Sequence, residues 1–271
     1  MNKKVKVMIL RTAGTNCDAE TAFAFRSCGA HVVDLVHVNR LLQGAADLSN
    51  YHILTIPGGF TYGDDIESGR ILANELRLKL DQRINCFIKE GKLILGICNG
   101  FQVLVKAGIL PGVSGTQEKD SSLLSQQATL VGNDSGKFED RWIYLKMSGK
   151  SVWTKGIKDI VHFPVAHAEG KFVSKNSSLL RRMKQNGQVA FRYCTKEGQK
   201  PNYPENPNGS VDDIAGITDP SGRILGLMPH PERHFLLSQH PSWTRLKRVS
   251  RYGDGALIFE NGVQYIKEHL L

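Results

Sequence analysis

A chain of 271 residues, 41% hydrophobic and 23% charged, can bury a full core as one large domain or two small ones. It has no apolar run of about 18 residues, which argues against a helical membrane span. The net charge of +9 comes without a recognition module or a stacking aromatic pattern, which argues against nucleic-acid binding. Basic residues thicken at 181–184 and 245–251; they read as solvated helix faces, with a docking surface for an acidic partner or a phosphorylated substrate as the alternative. The five cysteines, Cys17, Cys28, Cys86, Cys98 and Cys194, are odd in number and lack framework spacing, so a reducing, cytoplasmic setting and one reactive thiol are expected. Met1-Asn2-Lys3-Lys4 leads straight into strand-like sequence, not into a signal-peptide core.

Residues 5–10 read as a first strand, and 11–16 as a turn into a helix that carries Ala22, Phe23 and Phe25 and closes near Gly29. Residues 31–38 and 51–56 read as the second and third strands. Pro57-Gly58-Gly59-Phe60-Thr61-Tyr62-Gly63-Asp64 is too glycine-rich for regular structure. Residues 70–89 form one long amphipathic pattern, 92–95 a buried strand, and 101–109 a helix stopped by Gly108 and Pro111. Strands alternating with helices predict a doubly wound, mostly parallel α/β sheet, whose ligands bind at the carboxyl ends of its strands. Later on, 128–131, 142–147, 161–164, 189–193, 214–218 and 224–227 are short strand candidates, 178–186 and 255–270 look helical, and 202–210 is a loop. With no repeat, low-complexity tract or clear linker, residues 1–271 are expected to form a single domain.

Between the strand at 92–95 and its helix lies Gly96-x-Cys98-x-Gly100, the form of a nucleophile elbow with cysteine in place of serine. The helix that follows would point its amides and positive end at the sulfur, favouring thiolate. A buried cysteine before an ordinary strand-to-helix turn fits the pentapeptide equally well. A thiolate nucleophile needs a base, an orienting group and an oxyanion site. Met228-Pro229-His230-Pro231-Glu232-Arg233-His234 directly follows the strand at 224–227, so His230 is the candidate base and Glu232 its orienting carboxylate. The alternatives are a surface turn or a metal site on His230 and His234. The metal reading is disfavoured because Pro231 stands where H-E-x-x-H has its Glu, and no third ligand is evident. Gly58 and Gly59 supply unhindered amides for an oxyanion hole, which the amide of Asn99 would complete; otherwise they are a flexible turn. Gly132-x-x-x-Gly136-Lys137-Phe138 is one residue short of a phosphate loop and has Phe138 where Ser or Thr is required, which excludes an ATP site there.

Taken together, Gly96-Ile97-Cys98-Asn99-Gly100-Phe101-Gln102, Pro57-Gly58-Gly59 and His230-Pro231-Glu232 resemble the class I (triad) glutamine amidotransferases. More closely, the chain resembles the glutaminase subunits of phosphoribosylformylglycinamidine synthases. The closer markers are Gly14-Thr15-Asn16-Cys17-Asp18, the loop 57–64, residues 133–142, Pro164-Val165-Ala166-His167-Ala168-Glu169-Gly170, residues 203–210 and Gly226-Leu227-Met228-Pro229-His230-Pro231-Glu232-Arg233. The resemblance implies a flavodoxin-like fold in which Cys98 attacks the side-chain amide of glutamine. The amides of Gly59 and Asn99 would hold the oxyanion. His230, oriented by Glu232, would protonate departing ammonia and then activate water against a glutamyl thioester. Gly58, Phe60, Gln102 and Phe138 are implied substrate contacts, with no metal and no cofactor in this chain. ATP and magnesium are expected on a synthetase subunit that receives the ammonia for de novo purine biosynthesis, with a small bridging subunit in the same complex. Asp65-Ile66-Glu67-Ser68 is more acidic than the family pattern, and the chain is longer than a minimal glutaminase subunit. The competing readings are an α/β-hydrolase with a cysteine nucleophile, a cysteine peptidase or stress-response relative, and a non-catalytic subunit with a vestigial triad. Three filled triad positions argue against the last.

Overall fold

The computed structural model of the chain describes residues 4–112, 125–246 and 250–271. Residues 1–3 and the middle of the basic stretch at 245–251 lie outside the described residues. A nine-stranded sheet runs through both halves of the chain. Its strands are β1 (Lys6–Arg11), β2 (Val32–His37), β3 (Ile53–Ile56), β4 (Leu93–Ile97), β6 (Glu139–Met147), β7 (Ile160–His167), β9 (Val189–Cys194), β10 (Ile214–Thr218) and β11 (Ile224–Leu227). Their order across the sheet is β2-β1-β3-β4-β11-β10-β9-β6-β7. The first five in that order are mutually parallel, and each later neighbour pairs antiparallel. A separate antiparallel pair joins β5 (Ala128–Val131) to β8 (Lys171–Ser174).

The centre of the parallel half explains where a site can form. β3, β4 and β11 are buried at every residue, as expected for parallel strands covered on both faces. Gly96 of β4 stands in register between Ile56 of β3 and Gly226 of β11. Three adjacent strands therefore stop side by side at one edge, and their exits are the glycine loop after Ile56, the cysteine turn after Ile97 and the histidine turn after Leu227. Helices α1 (Asp18–Ser27), α2 (Val38–Leu42), α3 (Arg70–Lys79), α4 (Asp81–Lys89), α5 (Asn99–Lys106), α6 (Ser177–Gln185) and α7 (Ala256–His269) accompany the sheet.

The long helix expected over 70–89 is two helices, α3 and α4, separated at Leu80, whose φ of −123° and ψ of 7° leave the helical region. Leu76, Leu80, Ile84 and Phe87 are all buried, so the apolar stripe passes through the bend unbroken. α5 begins at Asn99, directly after the cysteine, rather than at Phe101. β6 and β7 run further than their apolar cores, to Glu139 and His167.

Candidate active site

Cys98 sits between β4 and α5 at φ 51° and ψ −107°, a left-handed backbone for a residue with a side chain. Such a conformation costs about 1–3 kcal/mol and persists only where its surroundings enforce it. The flanking glycines permit the turn. A Cβ on Gly100 would lie 1.8 Å from the Ile56 carbonyl oxygen, and one on Gly96 would lie 2.5 Å from Leu104 Cδ1 and 2.7 Å from the Gly100 oxygen. The Cys98 amide donates to the Leu227 carbonyl at 2.8 Å, which fastens the elbow to β11. The residue is 4% exposed, and its sulfur lies 3.6 Å from the Ala166 carbonyl.

His230 follows β11 and is held by its own amide, which donates to Pro164 O of β7 at 2.9 Å. Its Nδ1 is 2.6 Å from Glu232 Oε1, and both side chains are buried. Nδ1 therefore carries the proton it donates to the carboxylate, leaving Nε2 for the nucleophile. Nε2 is buried and has no hydrogen-bond partner among the described residues. Burial opposes a charge on this ring. The Glu232 carboxylate and the Cys98 sulfur outweigh that burial and raise the His230 pKa well above 6.5. Cys98, His230 and Glu232, the candidates named from the sequence, thus stand together at one strand edge.

The glycine loop adds the polar end of the site. The Gly58 carbonyl accepts from the amides of Asn16, at 3.4 Å, and Cys17, at 3.2 Å, so the following Gly59 N–H points the other way across the trans peptide. Gly59 has φ 147°, and a Cβ there would lie 2.8 Å from Asn16 N and from Gly14 O. Among the described residues, neither the Gly59 nor the Asn99 amide donates to a protein acceptor. Gly58 packs on the histidine: a Cβ there would lie 2.6 Å from His230 Cε1. The Gln102 side chain is committed to protein partners, with Nε2 on Glu169 O at 2.6 Å and Oε1 accepting from Asn99 Nδ2 at 2.9 Å. Phe60 and Phe138 are exposed and stack with ring centroids 6.4 Å apart, an apolar rim linking the glycine loop to the second half of the chain.

The structure adds residues that the sequence reading gave no role. Cys17 Sγ lies 3.9 Å from His230 Nδ1, and Arg233 Nη2 donates to that sulfur at 3.2 Å. Both residues lie in stretches already marked as distinctive, which was the only signal available. Cys17, His230 and Glu232 have donor atoms within 4.8 Å of one another, a spacing that could hold a metal ion. The Arg233 guanidinium on the sulfur places positive charge where a cation would have to sit. His167 is buried against Asn133, 3.2 Å from Nδ1 to Oδ1; burial, and then the charge of His230, push its pKa down to about 4.

Comparison with known proteins agrees with this geometry. The family described as the CobB/CobQ-like glutamine amidotransferase domain matches residues 4–266. The chain is 48% identical over 268 residues to phosphoribosylformylglycinamidine synthase subunit PurQ of Dehalococcoides mccartyi, covering 98% of this chain and 99% of that one. It is 42% identical over 278 residues to the subunit of the same name from Archaeoglobus fulgidus, covering 98% of each. Among solved structures, PurLQS from Thermotoga maritima matches with a TM-score of 0.72 at 28% identity, covering 97% of this chain and 100% of that one. A chain with this elbow, this histidine–glutamate pair and these relatives belongs to the glutamine amidotransferases and, within them, to the phosphoribosylformylglycinamidine synthase subunit PurQ family.

Proposed function

We propose that the chain is the glutamine-hydrolysing subunit of a phosphoribosylformylglycinamidine synthase. The carrying observation is the strained Cys98 at the meeting of three strand ends, beside a buried His230–Glu232 pair 2.6 Å apart. Cys98 as thiolate attacks the side-chain carbonyl of glutamine, forming a C–S bond. The Gly59 and Asn99 amides, both without acceptors among the described residues, receive the oxyanion. Collapse of the tetrahedral species breaks the C–N bond, and the His230 imidazolium gives its proton to the leaving ammonia. Neutral His230 then takes a proton from water, which attacks the thioester, releases glutamate and restores the thiol pair. Glu232 holds the ring in one tautomer throughout and balances its charge. The Phe60–Phe138 rim lines the approach, while Gly58 and Gln102 shape the pocket by holding the ring and the wall.

The ammonia serves a synthetase subunit, with a small bridging subunit in the same assembly. ATP and magnesium act there, and this chain needs no cofactor of its own. No helix among the described residues is long and apolar enough to cross a membrane, which suits a cytoplasmic complex. The test is Cys98→Ala in the assembled complex. Glutamine-dependent amidation should vanish while ammonia-dependent amidation persists; equal loss of both in a folded, assembled variant refutes the assignment.

A further inference from the structure

We infer that Cys17 and Arg233 are positioning residues for the reaction proposed above, forming one relay that ties the oxyanion loop to the catalytic imidazole. The inference rests on that reading of the site.

Cys17 makes three kinds of contact, and they converge. Its amide donates to Gly58 O at 3.2 Å, which sets the direction of the peptide that presents the Gly59 N–H. Its sulfur stands 3.9 Å from His230 Nδ1, the nitrogen bonded to Glu232. The same sulfur accepts from Arg233 Nη2 at 3.2 Å and points its own hydrogen at Asn16 Oδ1, 3.1 Å away. With S–H spent on Asn16, the sulfur lone pairs face Arg233 and the ring. Burial pushes the Cys17 pKa up, so the group is a neutral thiol and does not compete with Cys98 as nucleophile.

Arg233 completes the relay. It follows Glu232 directly, so the turn carrying the catalytic carboxylate also carries the guanidinium that holds Cys17. Its Nε donates to Glu20 Oε1 at 3.2 Å, anchoring the turn to α1. Cys17 stands at the N-cap position of that helix, its side chain turned to other partners, and Glu20 lies in the first turn. One helix end therefore fixes the base through the sulfur and the oxyanion peptide through the backbone. Gly58 completes the packing: a Cβ there would lie 2.6 Å from His230 Cε1 and 3.1 Å from Cys17 Sγ, so ring, sulfur and glycine backbone are in mutual contact. Sulfur suits this place because it is large, polarizable and a weak acceptor, filling the gap beside the ring without displacing the Glu232 bond.

The experiment measures glutamate release by the assembled complex against glutamine concentration and pH. It compares the wild type with Cys17→Ala, Cys17→Ser, Arg233→Met and the double variant, with Cys98→Ala as the zero. Cys17→Ala should lower kcat about tenfold, the loss of one hydrogen-bonded contact in the reacting state, with KM for glutamine within about twofold. The limb of the pH profile governed by His230 should move to lower pH, because the ring loses an acceptor that favours its charged form. Cys17→Ser should recover part of both effects. The double variant should lose less than the product of the two single losses, since the contact between the two residues is shared. A Cys17→Ala enzyme with wild-type kcat and pH limb overturns the inference, as do losses that multiply in the double variant. A wild-type complex that releases no more glutamate than Cys98→Ala sinks the proposed function as well.

Discussion

His230 and Glu232 carry opposite burdens in the same dry space. The ring is buried and would shed its charge there; the carboxylate 2.6 Å away keeps it. Glu232→Gln preserves the shape and removes the largest opposition to burial, so the His230 pKa should fall. Thioester formation should slow by up to about 10⁴, the loss when an orienting carboxylate in a triad becomes an amide. Rapid-quench measurement of the acylation step would show it, and full activity across neutral pH would mean that another carboxylate orients the ring. The glycines make a separate prediction. Gly100→Ala puts a methyl 1.8 Å from a backbone oxygen and should abolish the folded elbow, whereas Gly132→Ala meets nothing within 4 Å and should leave activity intact. Comparing the two variants for soluble yield and glutamate release isolates the elbow from a general intolerance of lost glycines.

One face of α5 does more than aim its N-terminus at the sulfur. Asn99, Gln102 and Lys106 are spaced three and four apart and so stand in a row. Asn99 holds the glycine loop through the Thr61 amide at 3.2 Å and Asp64 Oδ1 at 3.2 Å. Lys106 Nζ, almost wholly buried, donates to Ser68 O at 2.9 Å and lies 3.4 Å from carboxylate oxygens of both Glu67 and Glu169. Lys106→Met would take the donor from the Ser68 carbonyl and the buried cation from Glu67 and Glu169, costing about 1–3 kcal/mol and loosening the segment that carries Phe60. A lower urea midpoint together with a raised KM for glutamine is expected; an unchanged midpoint would show that the row is not bearing the loop. Such a row is invisible in sequence, because a lysine at a helix end reads as solvent-facing. Other elements divide the same way. β3 and β4 are mostly apolar runs in the alternating first half of the chain, so their existence and parallel setting could be read directly; β11 could be read as a strand, though not as parallel, and the candidate triad followed from what stands after β4 and β11. The bend at Leu80 could not, since the apolar period runs through it and only the backbone departs. β8 is short and half-exposed, and the polar ends of β6 and β7 carry Glu139 and His167, whose burial depends on partners distant in sequence. The order of the antiparallel half of the sheet is likewise a matter of long-range pairing that no local pattern encodes.

Buried histidines of opposite tendency give the protein a stability optimum near neutrality. Burial pushes His167 and His162 down to about 4, the latter helped by neighbouring His240 and His234, so both fold as neutral rings. In the unfolded chain they take up protons near the ordinary histidine value of about 6.5, and between those limits the unfolded state binds more protons. Their contribution is therefore complete above about pH 6.5 and is lost as pH falls toward about 4. His230 runs the other way: its pKa is raised, so its contribution is full below about 6.5 and fades as pH climbs through the folded value. Between about pH 7.5 and about pH 5, where ordinary carboxylates are still mostly ionised, His167 alone should account for about 2 kcal/mol of lost stability. Urea unfolding at those two pH values tests this directly. His167→Gln should unfold more easily than wild type at the higher pH, having lost a packed ring, yet show a smaller difference between the two pH values. The comparison within each protein cancels the packing loss and leaves the proton term. A His167→Gln slope equal to wild type would show that this ring is already charged in the fold, and the hydrogen bond between its Nδ1 and Asn133 would then have to be the bond of an imidazolium.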